Sequence, residues 1–223
     1  MNIWQNAYDE HVGTEFNYPE ISLYDFFHKT AKAYPDKTAV NFFKFNMTYF
    51  ELDRKVRAFA NSLKSLGVKK GDRIGILLPN CPQYVVSYFS LMAIGAVVVQ
   101  ISPFYTHYEM EKIIEDSECN MVICLDLISG EIAEFKEKCN IQDIVLVSLA
   151  SRLNTIKSIL YKLKLWTTLD ALEEDYLEHV LGFDHLYEQY LDSEFEQTEV
   201  SADDLAVLQY TGGTTGLPKG ARL

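Results

Sequence analysis

Residues 73–101 read Arg-Ile-Gly-Ile-Leu-Leu-Pro-Asn-Cys-Pro-Gln-Tyr-Val-Val-Ser-Tyr-Phe-Ser-Leu-Met-Ala-Ile-Gly-Ala-Val-Val-Val-Gln-Ile. The first run, Arg73 to Leu78, is apolar, too short for a helix and ended by Pro79, which reads as a buried strand. A helix is expected from about Gln83 to Ile94, closed by Gly95, and a second strand from Ala96 to Ile101. The rhythm continues downstream. Thr106-His-Tyr-Glu109 caps a helix reaching about Ser117, Met121 to Leu125 is strand, 130–138 is helix, and Ile144 to Val147 is strand. Strands alternating with helices across short turns predict an α/β fold, with a mostly parallel sheet covered by helices on both faces.

Upstream, Thr48-Tyr-Phe-Glu51 has the form of a capping box. It opens a helix with Leu52, Val56, Phe59, Ala60, Leu63 and Leu66 on one face, closed by Gly67. Ser22 followed by Asp25 starts an earlier helix that should run to about Tyr34, where Pro35 stops it. Residues 1–21 show no period and are expected to form an extended arm.

Composition narrows the function classes. With 48% hydrophobic and 13% aromatic residues, 223 residues can bury a real core. A net charge of −12 argues against nucleic-acid binding, which needs a basic surface to displace counterions. The four cysteines, Cys81, Cys119, Cys124 and Cys139, show no Cys-x-x-Cys pair and no zinc spacing to histidine. Their apolar flanks suit reduced, buried thiols of a cytoplasmic protein. The first residues lack the basic and apolar regions of a signal peptide, and no apolar run reaches the length of a membrane span.

Residues 149–204 break the pattern and read as a charged connecting segment. From Leu149 to Trp166 there are four cations (Arg152, Lys157, Lys162, Lys164) and no acid, whereas Glu173 to Asp204 holds twelve acids and no Lys or Arg. Leu149, Leu153, Ile156, Leu160 and Leu163 recur at helical spacing. Two readings stay open for 149–166: a basic amphipathic helix lying on an anionic membrane, or a helix that packs its apolar stripe on the sheet while its cations face the acidic run.

The chain ends in Leu205-Ala-Val-Leu-Gln-Tyr-Thr-Gly-Gly-Thr-Thr-Gly-Leu-Pro-Lys-Gly220, followed by three residues. An apolar strand leads into Thr211, Gly212, Gly213, Thr214, Thr215, Gly216, Lys219 and Gly220. Glycines let backbone N–H groups approach an anion, threonine hydroxyls add neutral donors, and Lys219 adds a compact positive charge, a composition suited to polyphosphate. The spacing is not that of a Walker A loop, and it is not Gly-x-Gly-x-x-Gly. The plain alternative is a Gly–Thr surface turn between strands.

Tyr210 to Gly220 resembles the signature loop of the acyl-adenylate-forming (AMP-binding) superfamily. Thr48 to Leu52, Leu66-Gly-Val-Lys-Lys-Gly-Asp-Arg73, Leu78-Pro-Asn80 and Ala93 to Pro103 are similar to that family's upstream landmarks, in the same order. Gly212-Gly213 after Leu-Gln-Tyr, with the cationic segment before Trp166, is similar to the long-chain fatty-acid–CoA ligase branch. The resemblance implies ATP, Mg2+ bound through ATP, and CoA as co-substrate. A fatty acid would be joined to AMP with release of pyrophosphate, and the CoA thiol would then take the acyl group. It implies that Tyr210, Thr211, Gly212, Gly213, Thr214, Thr215, Gly216, Lys219 and Gly220 line the ATP phosphates, Lys219 stabilising their charge, with no protein-held metal. It also implies that residues 22–223 are part of an N-terminal AMP-binding domain, the adenine, acyl and CoA sites and a lid domain lying beyond Leu223. On that view the chain alone is inactive. Partners would be fatty acid, ATP and CoA, with a peripheral membrane contact through 149–166 and a homodimer as further expectations. Other acyl- or aryl-CoA ligases, carrier-protein-loading adenylation domains and a truncated non-catalytic nucleotide-binding chain are the alternatives.

Overall fold

A computed structural model describes residues 7–9, 12, 18–43, 45–136, 138–150, 180–211 and 218–223. Most of the expected arm and residues 151–179 lie outside these, so neither reading of the cationic segment is addressed.

Helix α1, Leu23–Ala33, begins where Ser22 accepts a hydrogen bond from the Asp25 amide and ends at Tyr34. Strands β1, Thr38–Phe42, and β2, Phe45–Thr48, form a small antiparallel pair. Helix α2, Tyr49–Ser65, starts with the expected capping box of Thr48 and Glu51. Strand β3, Arg73–Leu77, leads to α3, Pro82–Ile94, which stops at Gly95 in the left-handed conformation. Strand β4, Val97–Gln100, precedes α4, His107–Ser117, capped reciprocally by Thr106 and Glu109. Strand β5, Met121–Leu125, is followed by a 3₁₀ turn, Asp126–Ile128, helix α5, Ser129–Phe135, and strand β6, Asp143–Val147. The helix expected at 130–138 thus begins earlier and ends sooner. The 3₁₀ turn starts it, the Ser129 hydroxyl donating to the Asp126 carbonyl, and the chain then turns to bury Ile141.

The expected connecting segment contributes structure of its own. Strand β7, Val180–Gly182, joins the edge of the sheet beside β6, and helix α6, Phe183–Glu188, packs Phe183 and Tyr187 into the core. Strands β8, Val207–Thr211, and β9, Lys219–Arg222, form the last hairpin. The main sheet has the order β7-β6-β5-β3-β4-β8-β9, parallel except for β9.

Two apolar clusters cover its faces. On one, Ile74, Ile76, Val98, Ile123 and Val145 pack with α1, α2, α3 and α6. On the other, Val97, Val99, Val122, Ile144 and Leu208 pack with Met110, Ile113 and Ile114 of α4 and Ile132 of α5. All four cysteines are buried free thiols. Burial pushes the thiol of Cys119 up to about 12 and raises Cys81, Cys124 and Cys139 as well.

Residues 189–204 carry no helix or strand and lie along one face of α2. Arg54 Nε donates to the Leu191 carbonyl (3.2 Å) and its Nη2 reaches Asp192 (2.6 Å). Asn61, Lys64 and Lys70 donate to the carbonyls of Glu194, Glu196 and Glu199 at 2.9, 3.0 and 3.0 Å. Lys70 also pairs with Asp204 at 2.6 Å. The described part of the acidic run therefore meets Arg54 and Lys64 of α2 and Lys70 just beyond it.

Candidate functional site

Sheet topology decides where a ligand can enter. Helix α3 returns from β3 to β4 across one face, and α4 returns from β4 to β5 across the other. The carboxyl ends of β3 and β4 are thus a switch point, where diverging connections leave a crevice. A cleft of about 230 Å³ opens there, lined by Asn80 after β3, Tyr84 of α3, Gln100, Ser102 and Tyr105 at the end of β4, and Gln209 of β8.

The β8–β9 hairpin stands beside that cleft. Its register pairs Leu208 with Arg222, Gln209 with Ala221, Tyr210 with Gly220 and Thr211 with Lys219. Thr211 and Lys219 are exposed and face each other across the mouth of the turn. Gly212, Gly213, Thr214, Thr215 and Gly216 lie outside the described residues, so of the nine expected site residues the structure places Tyr210, Thr211, Lys219 and Gly220. Among the described residues Lys219 has no carboxylate within ion-pairing distance.

Tyr210 differs from its neighbours because it is 3% exposed. Its ring lies against Gly220, where an added Cβ would come within 3.0 Å of the ring carbon Cζ. Glycine at 220 relieves that close approach, and its φ is not left-handed. The Tyr210 hydroxyl donates to Asp116 Oδ2 of α4 at 2.6 Å. Burial, and then the Asp116 carboxylate, push the phenol above its ordinary range. The Tyr105 hydroxyl reaches the Tyr210 carbonyl at 3.5 Å, the long limit of a hydrogen bond. Neither Asp116 nor Tyr105 could be picked out from the sequence, where Asp116 reads as an ordinary polar position near the end of a helix.

No three His, Cys, Asp or Glu side chains among the described residues converge to hold a metal ion. No helix among them is long and apolar enough to cross a membrane.

Comparison with known proteins agrees with this architecture. Residues 27–223 match the family described as AMP-binding enzyme. The chain is 33% identical to the long-chain-fatty-acid–CoA ligase of Bacillus subtilis (strain 168), an alignment covering 99% of this chain and 39% of that relative. A crystal structure of a long-chain-fatty-acid-CoA ligase from Archaeoglobus fulgidus is similar with a TM-score of 0.71 at 25% identity, covering 94% of this chain and 38% of that one. The structure of the anthranilate CoA ligase AuaEII with anthranoyl-AMP gives a TM-score of 0.74 over 91% of this chain and 34% of that one, at 22% identity, and speaks for the fold alone. The chain spans about two-fifths of the length of the curated relatives it matches. With a family match over residues 27–223, a switch-point cleft and the β8–β9 hairpin beside it, this chain belongs to the AMP-binding enzymes, the family of adenylate-forming acyl- and aryl-CoA ligases.

Proposed function

We propose that the protein is an ATP-dependent fatty-acid–CoA ligase and that the β8–β9 hairpin holds the ATP phosphates. In the first step a carboxylate oxygen attacks the α-phosphorus of ATP and the bond to the β-phosphate oxygen breaks, giving acyl-AMP and pyrophosphate. In the second the CoA thiolate attacks the acyl carbon, giving the thioester and AMP. The observation that carries the reading is the register that sets Thr211 opposite Lys219 at the mouth of the turn, beside the switch-point cleft. Negative charge grows on the departing pyrophosphate, and a fixed cation with hydroxyl donors stabilises it in the transition state.

Thr211 and Lys219 are assigned to the β- and γ-phosphates, and Tyr210 and Gly220 to the support of the strands. Gly212, Gly213, Thr214, Thr215 and Gly216 are assigned to the same phosphates on the strength of the sequence. Magnesium would arrive on ATP oxygens; the described residues offer no donor set for it, and no step is assigned to it. The cleft beside the hairpin gives the second substrate a path toward the reacting centre. Preference for fatty over aryl acids is supported by the name of the B. subtilis relative at 33% identity.

The test is acid-dependent ATP–pyrophosphate exchange by the full-length protein, run with long-chain and aryl acids. Lys219→Ala should cut exchange by about 10²-fold or more. Because residue 219 is exposed on an edge strand, the melting temperature should stay within about 2 °C. Equal exchange at saturating ATP and acid removes Lys219 from the mechanism, and preference for an aryl acid moves the substrate class.

A further inference from the structure

Pairing between β8 and β4 ends at Gln209, opposite Gln100. Tyr210 and Thr211 run on past that ladder, and their described main-chain partners are Gly220 and Lys219 of β9, a strand exposed along its whole length. Beyond Gln209 the described strand pairing of β8 is thus to β9 alone. There the hairpin's anchorage comes from Tyr210. The ring lies against Gly220, the carbonyl receives the Tyr105 hydroxyl, and the hydroxyl donates to Asp116 at 2.6 Å. A hydrogen bond to an ionised carboxylate is the strong member of this set, while the Tyr105 contact is long.

We infer that Asp116 is a positioning residue for the phosphate-binding hairpin. Through Tyr210 it ties the hairpin to α4, and so fixes where Thr211 and Lys219 meet the nucleotide. Asp116 lies near the end of α4, on an element that packs its own apolar face into the sheet with Met110, Ile113 and Ile114. The anchor is thus packed into the core, while β9 is exposed along its length. The loop that forms one wall of the cleft precedes α4, and its own tie to the hairpin is the long contact from the Tyr105 hydroxyl to the Tyr210 carbonyl. This inference rests on the assignment of the hairpin to ATP.

The experiment uses the full-length protein with Asp116→Ala, Asp116→Asn, Tyr210→Phe and the double variant Asp116→Ala/Tyr210→Phe. Two readouts are taken: hydrogen exchange at the amides of 208–222, which needs no turnover, and the KM for ATP and for acid in pyrophosphate exchange. Asp116→Ala should speed amide exchange in 208–222 and raise the KM for ATP about threefold to tenfold, leaving the KM for acid unchanged. Loss of folded protein alone would lower the apparent kcat and leave both KM values in place. Asparagine keeps an acceptor for the phenol, so Asp116→Asn should return the KM for ATP to within about twofold of the parent. The double variant should be no worse than Tyr210→Phe, because both single changes break one contact. An unchanged KM for ATP in Asp116→Ala overturns the inference, as does additivity in the double variant. Faster amide exchange with no exchange activity in the parent protein would mean that the hairpin is anchored as described and that the ATP assignment has failed.

Discussion

Strands β3, β4 and β5 hold one another through parallel main-chain ladders between two apolar layers, whereas residues 189–204 lie against α2 and Lys70 beyond it, with the carbonyls of Leu191, Glu194, Glu196 and Glu199 held by side chains. In both places backbone carbonyls are met by partners. The partners differ in kind. In the sheet, each strand supplies donors and acceptors to the next, and removal of water from both faces makes the ladder cooperative. Along α2 the donors are lysine, arginine and asparagine tips that also meet water, so each contact can open alone. The difference teaches that a segment can be well placed without a main-chain ladder. Residues 189–204 lead directly into β8, and Tyr190, Leu191 and Phe195, packed against the core, set the approach to the hairpin together with those polar contacts.

The comparison can be broken from either side. The largest effect belongs to the sheet: Ile76→Ala empties space at a fully buried position of β3 and should cost about 2–5 kcal/mol in denaturant unfolding. A loss near zero would mean that the core collapses around the gap and that the sheet is no stiffer than the segment beside it. A smaller effect is expected where the regions touch. Gly95 ends α3 with φ +73°, and an added Cβ would lie 2.9 Å from Lys70 Cγ and 3.0 Å from Val200 Cγ2. Gly95→Ala should therefore cost about 1–2 kcal/mol for the left-handed backbone alone. It should also raise hydrogen exchange in 196–204 more than in β3 to β5; uniform exchange would show that the two regions open together.

The smallest effect comes from pH. The Lys70 ammonium and then the Ser201 amide hold the Asp204 carboxyl below its ordinary value of 3.8. A depressed carboxyl contributes stability above its unfolded pKa and loses it as pH falls through the folded value. Protection of 199–204 should stay flat from about pH 7 to pH 5 and decline only below the ordinary carboxylate range. A decline near pH 6 would assign the anchor to another group.

How much of this could be read in advance follows from the same contrast. The buried strands are runs such as Ile74 to Leu78 and Val97 to Val99, bounded by Pro79, Gly95 and Thr106, and their apolar density is visible without context. Capping at Ser22, Thr48 and Thr106 was equally legible, because the donors lie three residues away. Strand β9 was not legible. Lys-Gly-Ala-Arg has no alternation, being exposed throughout, and it becomes a strand only because β8 offers it an edge. Strand β7 hid in the charged connection, since Val180–Gly182 is too short to carry a pattern. At the candidate site, the chemistry of Thr211 and Lys219 was visible in composition, while their mutual register depends on a strand with no pattern of its own and the Tyr210–Asp116 contact joins residues 94 apart in sequence.

The buried thiols have a practical consequence. Cysteine reagents need a thiolate at the surface, and burial keeps all four native sulfurs covered, with that of Cys119 protonated up to about pH 12. A cysteine placed at exposed position 222, on the outer strand of the hairpin, would therefore react selectively in the folded chain. A fluorophore attached there would report on the surroundings of the hairpin, with every native cysteine left in place.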